Sequence, residues 1–167
     1  MTQVLISIGS NQNNPQRQIK TAFESIRSNY AEAQMSSLFL TQPVGGVSQE
    51  AFVNASIKFK TDSSAESLLA YLMSLEQKAR RNRQEEIPNG PRNLDLDIIL
   101  FGQSVSSDAT LSIPHPRFRE RRFVLVPSAE IAGEMRDPVS GESIDQLLKN
   151  CTDTYWVRSL DEEMIDA

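Results

Sequence analysis

The chain has 167 residues, of which 39% are hydrophobic and 23% are charged, and this composition is typical of one folded domain with a substantial core. Its net charge of −5 does not favour nucleic acid or an anionic membrane as a partner. With no apolar run long enough to cross a membrane and no basic leader, we expect neither a membrane anchor nor a secretion signal. The single cysteine, Cys151, cannot form an internal disulfide, which fits the reducing cytoplasm.

In chain order, the first half of the sequence predicts a strand, a helix and two further strands. The apolar run at residues 4–8 predicts a central strand, and Pro15 begins a helix with apolar residues at helical spacing. Residues 35–41 predict the second strand. Residues 52–60 alternate as a strand does, with Val53, Ala55, Ile57 and Phe59 on one face and Phe52, Asn54, Ser56 and Lys58 on the other.

The second half predicts a helix, a strand and less regular structure. Ser63 and Glu66 have the spacing of a capping box, and the apolar residues after them predict a helix that runs to about residue 82. The elements that follow are a strand at 93–101, an irregular segment at 103–122, either a strand or the lead-in to a helix at 123–128, and a short helix at 143–150. We expect the acidic tail, DEEMIDA, to be frayed.

This order of elements favours an α+β fold of the ferredoxin-like type, an α/β sandwich whose mainly antiparallel sheet carries helices on one face. The sequence contains no internal repeat and no linker that would divide it. We therefore expect a single domain over residues 1–167, with a core at about 4–148 and a C-terminal extension at 151–167.

Two aspartates, Asp95 and Asp97, alternate within the strand predicted at 93–101. Their carboxylates share a face about 7 Å apart, while Leu94, Leu96, Ile98 and Leu100 point into the core. Such a pair can bind Mg²⁺, which prefers oxygen ligands and is often shared with substrate phosphates. The alternative is an exposed acidic face of an edge strand. Arg92, just upstream, favours the magnesium interpretation because a magnesium–phosphate site needs both signs of charge.

Eight of the twelve arginines lie within residues 80–122, and guanidinium groups bind phosphate oxygens in pairs. The alternative is a solvated face with surface ion pairs. The only histidine, His115, lies between Ser112 and Arg117, which favours a phosphate contact over a structural role. Glu76 and Arg83, near the end of one helix, could flank a nucleotide. Because the sequence lacks a glycine-rich phosphate loop and a GxGxxG motif, phosphate must be bound by side chains and metal.

Phe52 and Asn54 share the more polar face of their strand, where a flat heterocycle could stack on the ring and bond the amide. Alternatively, Phe52 packs beneath the loop that contains the sequence PVGG. The residues alone do not separate these possibilities. They indicate magnesium-dependent phosphoryl transfer, or phosphate binding, on an α+β fold.

Two segments closely resemble the signature of the 6-hydroxymethyl-7,8-dihydropterin pyrophosphokinase family: GPRNLDLDIILFG and SIPHPRFRERRFVLVP. The segments IGSN and TQPVGG…FVNA also fit, and the resemblance runs from about residue 4 to residue 148. It implies a ferredoxin-like kinase that transfers pyrophosphate from ATP to the pterin hydroxymethyl group and releases AMP, in folate biosynthesis. It further implies two Mg²⁺ ions as cofactors, and we expect a cytoplasmic monomer without a nucleic-acid or membrane partner.

The resemblance also implies a role for particular residues of this chain. Catalysis would depend on Arg81, Arg92, Asp95 and Asp97, and the two aspartates would hold both metal ions. The ATP-binding residues would be Glu76, Arg83, Arg92, Ile98, Ser112, His115 and Arg121. The pterin-binding residues would be Thr41, Pro43, Val44, Gly45, Phe52, Asn54 and Phe123.

The chain departs from the family pattern mainly in one loop, and also at Arg80, where a glycine is usual, and at Pro116, where an aromatic residue is common. Asn89 stands where the family usually has a tryptophan, and the preceding segment RQEEIP is acidic where the family tends to be basic. This altered loop, residues 82–90, leaves open a paralogue that binds pterin or nucleotide without turnover. The arginine clusters suggest an RNA-binding domain as a third possibility, but the acidic net charge counts against it.

Overall fold

A six-stranded antiparallel sheet forms the centre of the described chain, which in this computed structural model comprises residues 1–45, 48–80 and 92–160. The strands of this sheet are β1 Thr2–Ser10, β2 Ala31–Met35, β3 Phe39–Thr41, β4 Phe52–Thr61, β5 Asp95–Phe101 and β8 Val157–Ser159. A small hairpin joins β6 Ser106–Ser107 to β7 Ser112–Ile113. The helices are α1 Pro15–Asn29, α2 Ala65–Ala79, α3 Arg122–Ala132 and α4 Ile144–Asn150, and a single 3-10 turn covers Phe118–Glu120.

The strand order is β5-β1-β4-β3-β8, and β2 also pairs with β4. Every strand pair in this sheet is antiparallel. The predicted α+β sandwich is therefore confirmed. Among the helices described, none is both long and apolar enough to cross a membrane.

The first face of the sheet is mainly apolar. Alternation in β1 and β4 directs Val4, Ile6, Ile8, Val53, Ala55 and Ile57 to this face, where all are buried. Helices α1 and α2 cover it with their own apolar stripes, whose buried members are Ile19, Ala22, Ile26, Leu68, Leu72 and Leu75. Burial of these stripes drives the packing of both helices.

Helices α3 and α4 cover part of the second face, so the prediction of helices on one face only is wrong. One of these helices is α3, for which the sequence FVLVPS allowed either a strand or the lead-in to a helix, and the structure confirms the helix. As a helix it buries Val124 and Leu125 against the sheet and places Ser128 against Ser56, hydroxyl to hydroxyl at 2.8 Å. A short run of consecutive apolar residues fits either a buried strand or a buried helix, so periodicity does not distinguish the two elements here.

A β-bulge in β5 corrects the predicted position of Leu100. Leu5 pairs with Leu100 while its neighbour Ile6 pairs with Ile98, so Ile99 is an extra residue. Leu100 consequently lies in the second-face core with Leu5, and not with Leu96 on the first face.

Two predicted boundaries also change. The strand predicted at 35–41 holds as β3 at its end, but residues 36–38 are in no strand, and Met35 ends β2, most of which was not predicted. Ser36 uses its side-chain oxygen to accept the Ser56 N–H at 2.9 Å, between the two strands. Helix α2 is capped by Ser64, whose hydroxyl accepts the Ser67 N–H, one residue later than the predicted Ser63. The predicted frayed tail lies outside the described residues.

Candidate active site

Strand register brings the polar residues of three strands together on the second face. Ser7 of β1 lies opposite Asp97 of β5 and Ser56 of β4. Two residues further along β1, Gly9 lies opposite Asp95 and Asn54. This end of the face is beyond the apolar contacts of α3 and α4, so it remains available to a ligand.

A cavity of about 150 Å³ opens above these rows. Its lining combines carboxylates, guanidinium groups, small polar groups and two aromatic rings: Ser7, Gly9, Thr41, Gln42, Val44, Phe52, Asn54, Arg92, Asp95, Asp97, Arg121 and Phe123. Nine of these residues are among the predicted site residues, and the structure brings them into one space.

One half of the cavity is aromatic and amide-lined. The Asn54 side-chain amide is buried and donates to the Thr41 hydroxyl at 2.6 Å. A Cβ on Gly9 would lie 2.4 Å from the Asn54 Oδ1 atom, so only glycine leaves room for this amide. Phe52 and Phe123, both half-buried, complete this half with flat apolar surface.

The other half of the cavity is charged. The exposed Asp97 and the half-buried Asp95 line it together, and Arg92 Nε lies 3.8 Å from Asp95 Oδ1. Burial lowers the pKa of the Arg121 guanidinium, although the Asp97 carboxylate opposes this shift. The Arg121 guanidinium carbon lies 5.5 Å from the centre of the Phe123 ring, which places this arginine at the junction of the two halves.

The carboxylate pair fits a magnesium ion that shares its ligands with a substrate. No group of three or more His, Cys, Asp or Glu side chains in residues 1–45, 48–80 and 92–160 could hold a metal by itself. Magnesium usually keeps several waters and binds through one or two carboxylates together with phosphate oxygens. Asp95 and Asp97 supply that number of carboxylates on one face.

The backbone of Arg92 is held by the asparagine of the IGSN segment. The Arg92 N–H donates to Asn11 Oδ1 at 2.7 Å, and the Asn11 N–H donates to the Arg92 carbonyl at 2.9 Å. The Asn11 amide also donates to Gln49 Oε1 and to the Glu50 carbonyl. This buried side chain therefore fixes the entry to β5 relative to the loop before Phe52.

Glu76 lies at the outer edge of β5, where its carboxylate accepts the Leu96 N–H at 2.9 Å. Burial raises the pKa of Glu76 to about 7. The hydrogen bond from Leu96 N–H lowers this pKa, whereas the negative charges of Asp95 and Asp97 raise it further. Glu76 is thus close to the carboxylate pair without lining the cavity itself.

His115 also lies at the outer edge of β5, where its backbone N–H donates to the Ile99 carbonyl at 3.1 Å. Its Nδ1 accepts the Arg117 N–H at 3.1 Å, so the neutral ring carries its proton on Nε2. Burial lowers the pKa of His115. The positive charges of Arg121 and Arg117 lower this pKa further, and the Asp97 carboxylate opposes the shift. The ring is therefore a hydrogen-bond donor at neutral pH.

The remaining predicted residues have different positions. Ser112 is exposed in β7, next to β5, and the Ile98 side chain is buried in the first-face core, so a contact of Ile98 with a nucleoside would involve its backbone. Pro43 and Gly45 belong to the loop after β3 but do not line the cavity. Three positions lie outside the described residues: Arg81, Arg83 and Asn89.

The sequence did not single out three residues that line the cavity. Ser7 and Gly9 lie in an apolar run, and the alternation of β1 was the signal that could have placed them on the ligand face. The cavity position of Gln42 depends on a contact with Trp156, the residue before β8, that no local pattern predicts.

The fold and the cavity together describe an α+β sandwich whose sheet surface can bind a flat ring beside an anionic group. The family profile of 7,8-dihydro-6-hydroxymethylpterin-pyrophosphokinase (HPPK) matches residues 5–133. The chain therefore belongs to this family.

Individual relatives agree with this assignment. The chain is 36% identical over 160 residues to the 2-amino-4-hydroxy-6-hydroxymethyldihydropteridine pyrophosphokinase of Haemophilus influenzae, covering 95% of this chain and 98% of that protein. It is 43% identical over 109 residues to the Synechocystis protein of the same name, covering 64% of this chain and 55% of the relative. It is 36% identical to the folic acid synthesis protein fol1 of Pneumocystis carinii, covering 90% of this chain but only 20% of that longer protein.

Solved structures agree on the fold. Plasmodium falciparum HPPK-DHPS with SDX-DHP matches with a TM-score of 0.67 at 14% identity, covering 89% of this chain and 43% of that chain. The same protein with pteroate matches with a TM-score of 0.69 at 14% identity, covering 89% and 42%.

Proposed function

We propose that this chain transfers the pyrophosphate group of ATP to the hydroxymethyl group of 6-hydroxymethyl-7,8-dihydropterin in folate biosynthesis. The observation that carries the proposal is the cavity in which Phe52 and Asn54 lie beside Asp95 and Asp97, separated only by the width of β1. A flat heterocycle and a phosphate chain can therefore be bound side by side.

In the aromatic half, the pterin would lie between Phe52 and Phe123. Thr41 holds the Asn54 amide in one orientation, so a ligand meets a preorganised hydrogen-bonding group instead of a freely rotating one. The amide and hydroxyl groups would read the polar edge of the ring, with the loop at residues 41–45 beside it. Stacking and edge recognition together would aim the hydroxymethyl group at the charged half.

In the charged half, Asp95 and Asp97 would hold two Mg²⁺ ions. When bound, these ions would neutralise charge on the phosphate oxygens of ATP. Arg92 and Arg121 would bind further phosphate oxygens, with the Nε2–H of His115 as a neutral donor at the edge of β5. Arg81 and Arg83, outside the described residues, remain predicted phosphate ligands.

The reaction needs no protein nucleophile. The pterin hydroxyl oxygen would form a bond to the β-phosphorus of ATP, the bond from that phosphorus to the bridging oxygen of the α-phosphate would break, and AMP would leave with this oxygen. The hydroxyl proton passes to solvent water in the same step. The role of the side chains is to hold the two oxygens in line and to stabilise the charge that develops between them.

We also propose that the protein acts as a cytoplasmic monomer. Its single cysteine and its acidic net charge support this proposal.

The decisive experiment is to mix the purified chain with ATP, Mg²⁺ and 6-hydroxymethyl-7,8-dihydropterin and to measure AMP. We expect AMP and pterin pyrophosphate in equal amounts, and no AMP when the pterin is left out. Calorimetric binding of pterin and an ATP analogue without any AMP at high enzyme concentration would contradict the proposal and favour a binding paralogue.

A further inference from the structure

The C-terminal segment contacts the cavity-lining end of β3. Strand β8 pairs antiparallel with β3, so that Thr41 lies opposite Val157. The ladder extends beyond the strand at both ends, with Leu160 N–H bonded to the Leu38 carbonyl at 3.0 Å. Thr41 and Gln42, which we call the β3 wall of the cavity, are therefore held from outside the site by this segment.

Gln42 is bound twice by the residue that precedes β8. Its N–H donates to the Trp156 carbonyl at 3.1 Å, and its side-chain Oε1 accepts the Trp156 N–H at 3.1 Å. The side-chain oxygen thus takes the place of a backbone carbonyl and continues the ladder for one more bond. This pairing fixes both the backbone and the side chain of a residue that lines the cavity.

The same segment reaches the opposite side of the cavity through Asp153. Helix α3 begins at Arg122, and its N-cap residue Arg121 provides no side-chain cap. The Asp153 carboxylate supplies that cap, with Oδ2 accepting the Arg122 N–H at 2.9 Å and Oδ1 accepting the Tyr155 N–H at 2.9 Å. A negative group at a helix N-terminus is also favoured by the helix dipole.

Arg122 lies between two cavity residues, Arg121 and Phe123, which we call the α3 wall. One carboxylate therefore ties the α3 wall to Tyr155, and the next residue, Trp156, ties the same segment to the β3 wall. A stacking slot tolerates little change in width, since reacting groups must be held to within a fraction of an ångström.

We propose that residues 153–157 form a strap that sets the position of the α3 wall relative to the β3 wall and thereby shapes the pterin slot. Asp153 is the positioning residue of this strap. The inference rests on the proposed function, because it assigns the aromatic half of the cavity to the pterin.

The test compares Asp153→Ala and Asp153→Asn with wild type, and Glu24→Ala serves as the control because Glu24 is exposed on α1, paired with Arg27. We expect Asp153→Ala to raise the KM for the pterin about tenfold, the size of one charge-assisted hydrogen bond, and the KM for ATP about twofold. Asp153→Asn retains one carbonyl acceptor and should recover most of the loss. Glu24→Ala should match wild type.

Amide hydrogen exchange gives a second readout that needs no turnover. In Asp153→Ala, exchange of the Gln42 N–H should rise about tenfold, although Asp153 and Gln42 share no hydrogen bond in the described residues. If Asp153→Ala does not fold, Asp153→Asn is measured in the same way, and a smaller rise in exchange of the Gln42 N–H, about twofold, is expected because one acceptor oxygen remains.

Unchanged exchange of the Gln42 N–H in Asp153→Ala would overturn the strap. An equal rise in the KM values for pterin and for ATP, together with a lower melting temperature, would also overturn it, because the variant would then be perturbed as a whole. If wild type makes no AMP, the proposed function fails, and exchange at Gln42 then decides the strap by itself.

Discussion

The two faces of the sheet are formed by the same strands, but they differ in the polarity of their side chains and in what covers them. On the first face, β1 and β4 present a mainly apolar surface that α1 and α2 cover. On the second face, the apolar surface under α3 and α4 stops, and the same strands continue with Ser7, Gly9 and Asn54. The first face therefore supplies stability, and the second face divides its length between packing and ligand binding.

This division explains why the carboxylates are tolerated. Asp95 and Asp97 would be strongly destabilising on the first face, where a buried charge has no partner. On the second face they border a cavity and lie near Arg92 and Arg121. Substitutions on the two faces should therefore separate activity from stability.

The largest effect is expected for Asp97→Ala on the second face. Turnover should fall by about 10³-fold or more, since a magnesium ligand would be lost, while the melting temperature should change little because the side chain is exposed. Steady-state AMP production and thermal unfolding measure the two effects. Asp62→Ala is the control, because it also removes an exposed carboxylate, one that lies beside the N-terminal amine. A turnover close to wild type would contradict the metal assignment.

On the first face, Ile57→Ala should produce the reverse pattern. Ile57 is fully buried, and its truncation should lower the free energy of unfolding by about 2–5 kcal/mol through lost burial and the cavity left behind. Turnover per folded molecule should stay near wild type. Val139→Ala, at an exposed apolar residue, controls for side-chain size in the denaturant titration. A loss of turnover without a loss of stability would show that the faces are not separable.

Asp137 tests how the second face tolerates charge away from the cavity. This carboxylate is fully buried, yet bonds from Arg119, Val139 and Ser140 overcome the effect of burial and lower its pKa to about 2. Because the folded pKa lies below the ordinary value of 3.8, the stabilisation is present above that value and disappears as the pH falls through about 2.

Asp137→Asn should accordingly lower the free energy of unfolding by about 2 kcal/mol at neutral pH, and the difference from wild type should shrink between about pH 4 and pH 2. Denaturant titrations of both proteins over this range measure it. A difference that does not vary with pH would show that the charge of Asp137 is not responsible.

The smallest effect is expected for Gly9→Ala in the aromatic half. The new methyl group would meet Asn54 Oδ1 at 2.4 Å and displace the amide, so the KM for the pterin should rise about tenfold, or ~1.4 kcal/mol. The double variant Gly9→Ala/Asn54→Ala removes the clash without restoring the amide. It should regain stability but not pterin affinity, and recovery of both would contradict the role given to Asn54.

The parts of the fold that sequence could predict are those in which periodicity decides. Residues 52–60 alternate because one face is apolar, and the predicted faces are confirmed by the burial of Val53 and Ala55 in the first-face core. The break between β2 and β3 could not be predicted because it depends on a side-chain bond from Ser36 to a distant strand. The displaced Leu100 depends likewise on a bulge that exists only in the pairing with β1.

The site follows the same rule. Asp95 and Asp97, like Phe52 and Asn54, could be paired from alternation within one strand, and the cavity contains all four. To place Ser7 and Gly9 in the cavity, the register between strands must be known. To place Gln42 there, its contact with Trp156, 114 residues away along the chain, must be known. Local pattern thus predicts which residues share a face, and long-range pairing determines which faces meet.

The outer edge of β5 has a further consequence for how molecules of this protein behave in a crowded solution. An edge strand with open hydrogen-bonding groups is a template on which another chain can add a strand and begin to aggregate. At two positions of β5 these groups are already occupied, Leu96 N–H by Glu76 and the Ile99 carbonyl by His115. The Glu76 side chain and the His115 backbone thus also hinder intermolecular sheet extension, so a residue predicted to contact the nucleotide, Glu76, has a second role in keeping this edge closed.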